Sequence, residues 1–504
     1  MKLKKSIIIA ITSMLNTAII SILSLIFTNI ILKNYGSDYN GIVATVMQIM
    51  TVLLVLEGGI TYASNYAMYK PYLENDYDKI NIILSKTKKQ FTKAGVLIFL
   101  IGLVISIIYP FIVKSNLDYF TIFFIIFFVV VSTSFNIYFT TKMNVLFQAS
   151  QKEYLLTCIN LIVNIVVYSL IILLANVQTN ILIIRLIVML GVFCVGILTY
   201  FMFNKIFPYA KFTNTNVDIE IAGSKDIIIQ RITGIMYSSF PMIFISSAVG
   251  TIYTSVYSVY NSIFNIIKTL LYSIISAPSN GFGQLFASSE KKIVYEKFKT
   301  YNYLTIFSLT CLISSVLSVI IPFVRLYTRN VNDINYTSEL LSILFAINLY
   351  FEIIHTPSGT IISVSGNFKA GKRIQLMAML ILFPLLIIGS ITFKLYGIMV
   401  ALVITSMALA VMEIYYTYKK IFDESLIYMT CVCILNLILI IALFYFWKIF
   451  NIQFGSYFQF LIDGFLIFLC DSFIILLVNI IFFRRSVLDA INNFKCLINK
   501  DKIK

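Results

Sequence analysis

The segment 252–278 reads IYTSVYSVYNSIFNIIKTLLYSIISAP, from Ile252 to Pro278, and places Lys268 inside an otherwise uncharged helix-length run. It is long enough to cross a bilayer, which takes about 20 residues at 1.5 Å each. A lysine at that depth costs a few kcal/mol on insertion scales, about 3 at a helix centre. Such a residue is kept where it faces a water-filled cavity, a partner or a substrate. The expectation is a helix lining a transport path.

Working outward, the other runs are of the same kind. The chain of 504 residues is 60% hydrophobic and 12% charged, with a mean hydropathy of +0.93. A soluble domain carries about twice that share of charge. The apolar runs are too long for the alternating segments of about 10 residues that build a transmembrane barrel. The fold class is therefore an all-α polytopic membrane protein with about 14 transmembrane helices. The spans fall near 6–33, 41–69, 94–113, 118–141, 155–175, 180–203, 227–249, 252–278, 301–326, 338–362, 374–393 and 396–418, with a last pair near 427–449 and 457–483.

The net charge of +16 would suggest nucleic acid in a soluble protein. Here cytoplasmic loops account for it, and no nucleic-acid partner is expected. With both termini inside, roughly thirty of the 38 Lys and Arg fall in inner segments and about six in outer ones. A misplaced span would invert every later loop, so this bias supports a multi-pass chain with cytoplasmic termini. The basic inner face also suits anionic membrane lipids. In the tail, Val487, Leu488, Ile491, Phe494 and Ile498 share one helical face, as in an interfacial helix.

An echo at an offset of about 214 residues relates Tyr35-Gly36 and the following span to Val249-Gly250 and its own following span. Six spans per unit give a parallel repeat, with substrate expected between halves. The domains read as an N-terminal six-helix lobe (1–204), a cytoplasmic linker (205–226), a C-terminal six-helix lobe (227–420), an extra helix pair (421–483) and a basic amphipathic tail (484–504). Under the repeat, Glu57 is the counterpart of Lys268, and the two are expected to pair.

The candidate site residues follow from intramembrane charge. Lys268 would bind an anionic headgroup. Arg231 is either an inside anchor or a cavity cation. Glu57 would bind a coupling ion or compete for the lysine. In the tenth span Glu352 and His355, three apart, share a face and could relay protons, although a polar pair buried between helices and satisfied locally is the favoured reading. Pro357 is placed to break that helix. Arg185, Glu413, Asp463 and Asp471 read as structural or boundary charges. Phosphate-loop and metalloprotease motifs are absent from the sequence, and a single histidine cannot build a His-rich metal site, so no cofactor or metal is expected. The seven cysteines behave as small hydrophobes.

Several motifs together resemble a known family. These are Tyr35-Gly36, Gly41-Ile42, Leu56-Glu57-Gly58-Gly59-Ile60 and the stretch from Tyr69-Lys70-Pro71 to Lys79-Ile80-Asn81. Lys225-Asp226-Ile227, Tyr257-Ser258-Val259-Tyr260-Asn261, Gly281-Phe282-Gly283-Gln284-Leu285 and Pro357 with Gly366-Asn367-Phe368-Lys369 follow. Residues 1–420 resemble polysaccharide-biosynthesis (Wzx-type) lipid-linked oligosaccharide flippases of the multidrug/oligosaccharidyl-lipid/polysaccharide exporter superfamily. The resemblance implies two six-helix lobes around a cationic cavity lined by the first, second, seventh and eighth helices. It also implies alternating access driven by H+ or Na+, with undecaprenyl-diphosphate-linked oligosaccharide as substrate and other polysaccharide-assembly membrane proteins as possible partners. Where many members carry an acid midway along the seventh span, this chain has Tyr237-Ser238-Ser239-Phe240-Pro241, so no coupling role transfers to that position. The alternatives are a cation-coupled drug or metabolite antiporter of the same fold, for which a buried lysine is a poor fit, and a membrane-embedded glycan polymerase or acyltransferase. The enzyme would favour a large outer loop, and the outer loops here are short.

Overall fold

The computed structural model describes residues 2–57, 60–212, 225–276 and 279–500. Gly58, Gly59, Pro278 and most of the linker lie outside the described residues, as do the side chains of Lys225-Asp226-Ile227, of Gln284 and of the tail beyond Asp489. The described residues of the expected spans are helical apart from a few span ends and the break at His355, and the described residues contain no strand.

Contacts group the chain into two compact units, Met1–Ser258 and Val259–Lys504. The first holds α1 (Lys2–Leu53), α2 (Ile60–Glu74), α3 (Tyr77–Ile112), α4 (Tyr119–Phe135), α5 (Thr141–Ala149), α6 (Glu153–Asn176), α7 (Ile181–Ile206) and α8 (Lys225–Phe244). The boundary falls within α9 (Thr251–Ser276). The second unit continues with α10 (Ser279–Ser288), α11 (Lys291–Tyr327), α12 (Glu339–Ile354), α13 (Thr356–Val364), α14 (Phe368–Thr392), α15 (Lys394–Tyr415), α16 (Ile427–Ile449) and α17 (Tyr457–Lys500).

Among the described residues, twelve helices are long and apolar enough to span a membrane. Two of the expected spans are not counted separately among them, for different physical reasons. The first and second merge in α1, where the chain leaves helical geometry only at Gly36 (φ 85°, ψ 172°). That backbone suits glycine, which lacks the Cβ that clashes at positive φ. The eighth, α9, carries too many Ser, Thr, Tyr and Asn side chains to pass as apolar, although its 26 residues suffice in length.

The second span was expected to run unbroken over 41–69. Instead, helix gives way to a 3₁₀ turn at Leu54–Glu57 and resumes as the separate α2. Two consecutive glycines follow Glu57 in the sequence, and each costs about 1 kcal/mol in a helix interior. The tenth span breaks as Pro357 predicts. α12 ends at Ile354, His355 takes φ −86° and ψ −14°, and α13 begins with the proline in its first turn. The tail stays helical past a kink at Phe483 (φ −129°, ψ 39°), one residue before the expected boundary.

Lipid tails are as apolar as leucine, so packing in each unit relies on close approach and polar links rather than on exclusion from water. In the first unit, α1 packs against α6 and α8 around Ile31, Tyr39, Ile42 and Val46. A second cluster centres on Phe91, Phe147, Phe203 and Phe207, and the rings of the last three meet edge to face or tilted. The start of α9 is held to α1 within this unit. Asn40 Nδ2 donates to Ser255 Oγ at 2.8 Å and to Ser258 Oγ at 3.1 Å. Asp38 accepts from Thr251 Oγ1, from Ser115 Oγ at 2.9 Å and from the Asn116 amide at 2.6 Å.

In the second unit α11 is the central helix, packed by α12, α16 and α17. α14 and α15 cross where Gly389 and Gly397 face each other, and a Cβ on Gly397 would lie 2.1 Å from the Gly389 carbonyl oxygen. Asn479 Nδ2 donates to Asn436 Oδ1 at 3.3 Å, and Tyr303 Oη donates to Asn479 Oδ1 at 3.2 Å. These links tie the last helix pair to α11. Outward positions such as Leu380, Ile391, Phe458 and Leu461 are exposed and suit contact with lipid.

Outside the spans, ordinary capping applies. Asp76 caps α3, accepting from the Lys79 amide at 3.0 Å. The Lys79 ammonium at 2.7 Å holds its carboxyl below the usual range.

Candidate functional site

α9 presents Tyr260, Phe264, Ile267 and Leu271 to the interior of the second unit at helical spacing. Tyr260 Oη donates to the Tyr336 carbonyl at 2.9 Å, and the Phe264 ring stacks on Phe345 of α12 at 5.3 Å. This face holds α9 against α12. Lys268 follows one residue after Ile267, about 12 Å from the Ser276 end of the helix.

Lys268 does not run up toward the surface. Its Nζ donates to Glu352 Oε2 on α12 at 2.9 Å, and it stands 5.9 Å from the centre of the Tyr272 ring. The lysine side chain is 25% exposed and that of Glu352 14%. The carboxylate that Lys268 meets is therefore Glu352, where the sequence reading offered Glu57. Opposite charge at matching depth identifies candidates; the facing of α12 against α9 selects between them.

One turn beyond Glu352, His355 sits at the break between α12 and α13. The expected Glu352–His355 partnership is replaced by a pairing in which each residue turns to a different helix. His355 Nδ1 lies 2.9 Å from Glu413 Oε2 on α15, and these side chains are 15% and 4% exposed. Glu413, read from sequence as a structural or boundary charge, thus belongs to the same cluster. Its signal was available: a carboxylate in an apolar span of the half that carries the only histidine. The small residue opposite it was not interpretable without the fold. A Cβ on Gly359 would lie 2.8 Å from Glu413 Oε2, so the carboxylate reaches His355 through space that only glycine leaves. Gly359→Ala is expected to displace Glu413, lowering stability by about 1–3 kcal/mol, as read by the melting midpoint of the purified protein. An unchanged midpoint would show that the pair tolerates the displacement.

Four charged or titratable groups from α9, α12, the α12–α13 junction and α15 thus form two linked pairs. With His355 neutral, Lys268, Glu352 and Glu413 sum to one negative charge. Protonating His355 brings the cluster to zero. Such an arrangement can hold an anion at Lys268 and a proton near His355.

The remaining candidates lie in the first unit. Glu57 closes the 3₁₀ turn and accepts from Thr61 Oγ1 at 2.5 Å. Arg231 lies on the exposed side of α8. Arg185, expected to be structural, is buried at 3% exposure, donates from Nε to Tyr39 Oη and stacks over the Tyr39 ring at 5.3 Å. Asp471 is likewise buried and accepts from Trp447 Nε1 at 2.7 Å. Among the described residues, no group of three or more His, Cys, Asp or Glu is arranged to hold a metal ion.

Helix order, the length of the spans and the polar character of α9 define the class: a multi-pass, all-helical membrane protein with a charged cluster inside one helical unit. No protein-family model and no curated protein matches the sequence. Among solved structures, the chain resembles the lipid II flippase MurJ in an inward closed conformation. The TM-score is 0.62 at 14% identity, over 95% of this chain and all of that one. A multidrug resistance MATE family transporter of the MOP superfamily, in an inward-facing conformation, gives a TM-score of 0.60 at 13% identity, over 84% of this chain and 95% of the other. A MOP superfamily transporter from Pyrococcus furiosus gives 0.52 at 13% identity, over 81% and 94%. The chain has the fold of the MOP superfamily transporters.

Proposed function

We propose that this protein is a flippase that carries undecaprenyl-diphosphate-linked oligosaccharide across the cell membrane for cell-surface polysaccharide synthesis, capsule or exopolysaccharide. It works by ion-coupled alternating access of the repeats 1–204 and 227–420, with both termini cytoplasmic, and it is a transporter rather than an enzyme. The observation that carries the proposal is Lys268: a cation on an otherwise uncharged helix, a quarter exposed, whose counter-charge is a single carboxylate at 2.9 Å. A diphosphate offers the ammonium a stronger partner than one carboxylate does. Arg231 contributes as a second cation, Glu57 as a charge in the first repeat, and Glu352 together with the His355–Glu413 pair as the ion-responsive groups. The fold likeness also covers more of the chain for the lipid II flippase (95%) than for the MATE transporter (84%).

The second reading is a cation-coupled drug or metabolite antiporter. The buried His355–Glu413 pair favours it, because a carboxylate beside a titratable ring suits a cationic cargo. The two readings separate in vesicles containing the purified protein and a fluorescent undecaprenyl-diphosphate glycan. Protein-dependent exposure of the glycan at the opposite leaflet supports the flippase. Uptake of organic cations without glycan movement overturns it.

A further inference from the structure

Resting on the reading that an anion docks at Lys268, we infer that anion and proton bind this cluster together rather than in competition. Lys268 Nζ holds Glu352 at 2.9 Å, and His355, one turn further along, holds Glu413 at 2.9 Å. Tyr272 on α9 is the other titratable group beside them, close to Lys268.

A phosphate-class anion arriving at Lys268 either displaces Glu352 or joins it. In the first case a buried carboxylate loses its cation. In the second the site gains negative charge one helical turn from the imidazole. Both leave uncompensated negative charge one helical turn from the imidazole, which raises the demand for a proton at the His355–Glu413 pair. The proton comes from the water that reaches the partly exposed lysine, and no bond other than to that proton is made. Linkage is reciprocal, so acidification tightens anion binding by the same factor by which the anion tightens proton binding.

A consequence follows for the drive. If the proton travels with the anion, an inward-directed proton gradient opposes outward movement of the substrate. Proton exchange at this cluster then cannot power export.

The test is calorimetric titration of inorganic pyrophosphate into the purified full-length protein in nanodiscs, in two buffers of different ionisation enthalpy. His355→Gln, Glu413→Gln and Lys268→Gln are compared with the parent. Protons carried by pyrophosphate itself cancel in the difference between parent and variant. The expected result is uptake of about one more proton by the parent than by His355→Gln. Its affinity then rises toward low pH by up to about tenfold per unit relative to that variant. Glu413→Gln is expected to reduce the difference as well. Equal proton uptake in parent and variants, or weaker parent binding as pH falls, overturns the linkage while leaving the anion site standing. Absence of pyrophosphate binding, or binding unchanged in Lys268→Gln, overturns the anion site itself and the linkage with it.

Discussion

Replacing Lys268 by alanine is expected to abolish export of the surface glycan while the protein still reaches the membrane. The lysine provides the one strongly basic group of the cluster, and it is the single charge on α9, held against Glu352 at 2.9 Å. Removing one partner of a buried ion pair is itself costly, about 3–5 kcal/mol, because the other charge is left uncompensated. Loss of function in the single variant could then reflect a damaged fold. The decisive comparison is the double variant Lys268→Met with Glu352→Gln, which removes both charges at similar volume and so removes that penalty. The double variant is expected to fold as well as the parent and to export nothing. Immunodetection of the glycan, normalised to protein in the membrane fraction, measures both. Normal export by the double variant would rule out the lysine as an anion site. Glu352→Gln alone carries the same kind of folding penalty, because it leaves the ammonium uncompensated, but it keeps the cation available to substrate.

The second large effect concerns Gly41. A Cβ added there would stand 1.8 Å from the carbonyl oxygen of Thr251 and 2.6 Å from its carbonyl carbon. Both are backbone atoms, so no side chain can rotate away; α1 and the start of α9 have to separate. Neighbouring bonds resist this. Asn40 is tied to Ser255 and Ser258, and Asp38 accepts from the Thr251 hydroxyl. Gly41→Ala is therefore expected to cost about 3 kcal/mol or more, beyond the usual range for overpacking, because the contact is backbone against backbone. The protein should be lost from the monodisperse peak of detergent extracts in fluorescence-detected size exclusion. Gly281→Ala is the control, since nothing lies within 4 Å of a Cβ at that position. A normal elution profile for Gly41→Ala would show that the crossing is looser than described.

These two residues show what kinds of information a sequence carries. Lys268 stands out in one dimension, because a charge in an apolar run is expensive wherever the helix packs. Gly41 does not, because glycine is common in membrane helices and its importance depends on what stands opposite. The number and placement of the spans were legible for the same reason as Lys268: crossing a bilayer demands about 20 apolar residues irrespective of neighbours. The breaks at Gly36 and His355 were legible from backbone chemistry, since glycine alone tolerates positive φ and proline removes a helical donor. The break before Gly58 was missed because the apolar run continues across it, and hydropathy does not register conformation.

Partner choice lay beyond the sequence. Lys268 needed a carboxylate, and Glu57 was a reasonable candidate by depth; α12 supplies Glu352 instead. His355 had Glu352 at the favoured spacing on its own helix, yet it turns to Glu413 on α15 through the gap left by Gly359. Composition, hydropathy and loop charge by themselves determined a polytopic helical protein with a costly cation in its eighth span. Only the tertiary structure decided which carboxylate meets that cation and that Glu413 joins the cluster. The reason is geometric: a sequence sets how deep a residue lies along its helix, but the rotation of each helix about its axis is settled by packing against its neighbours.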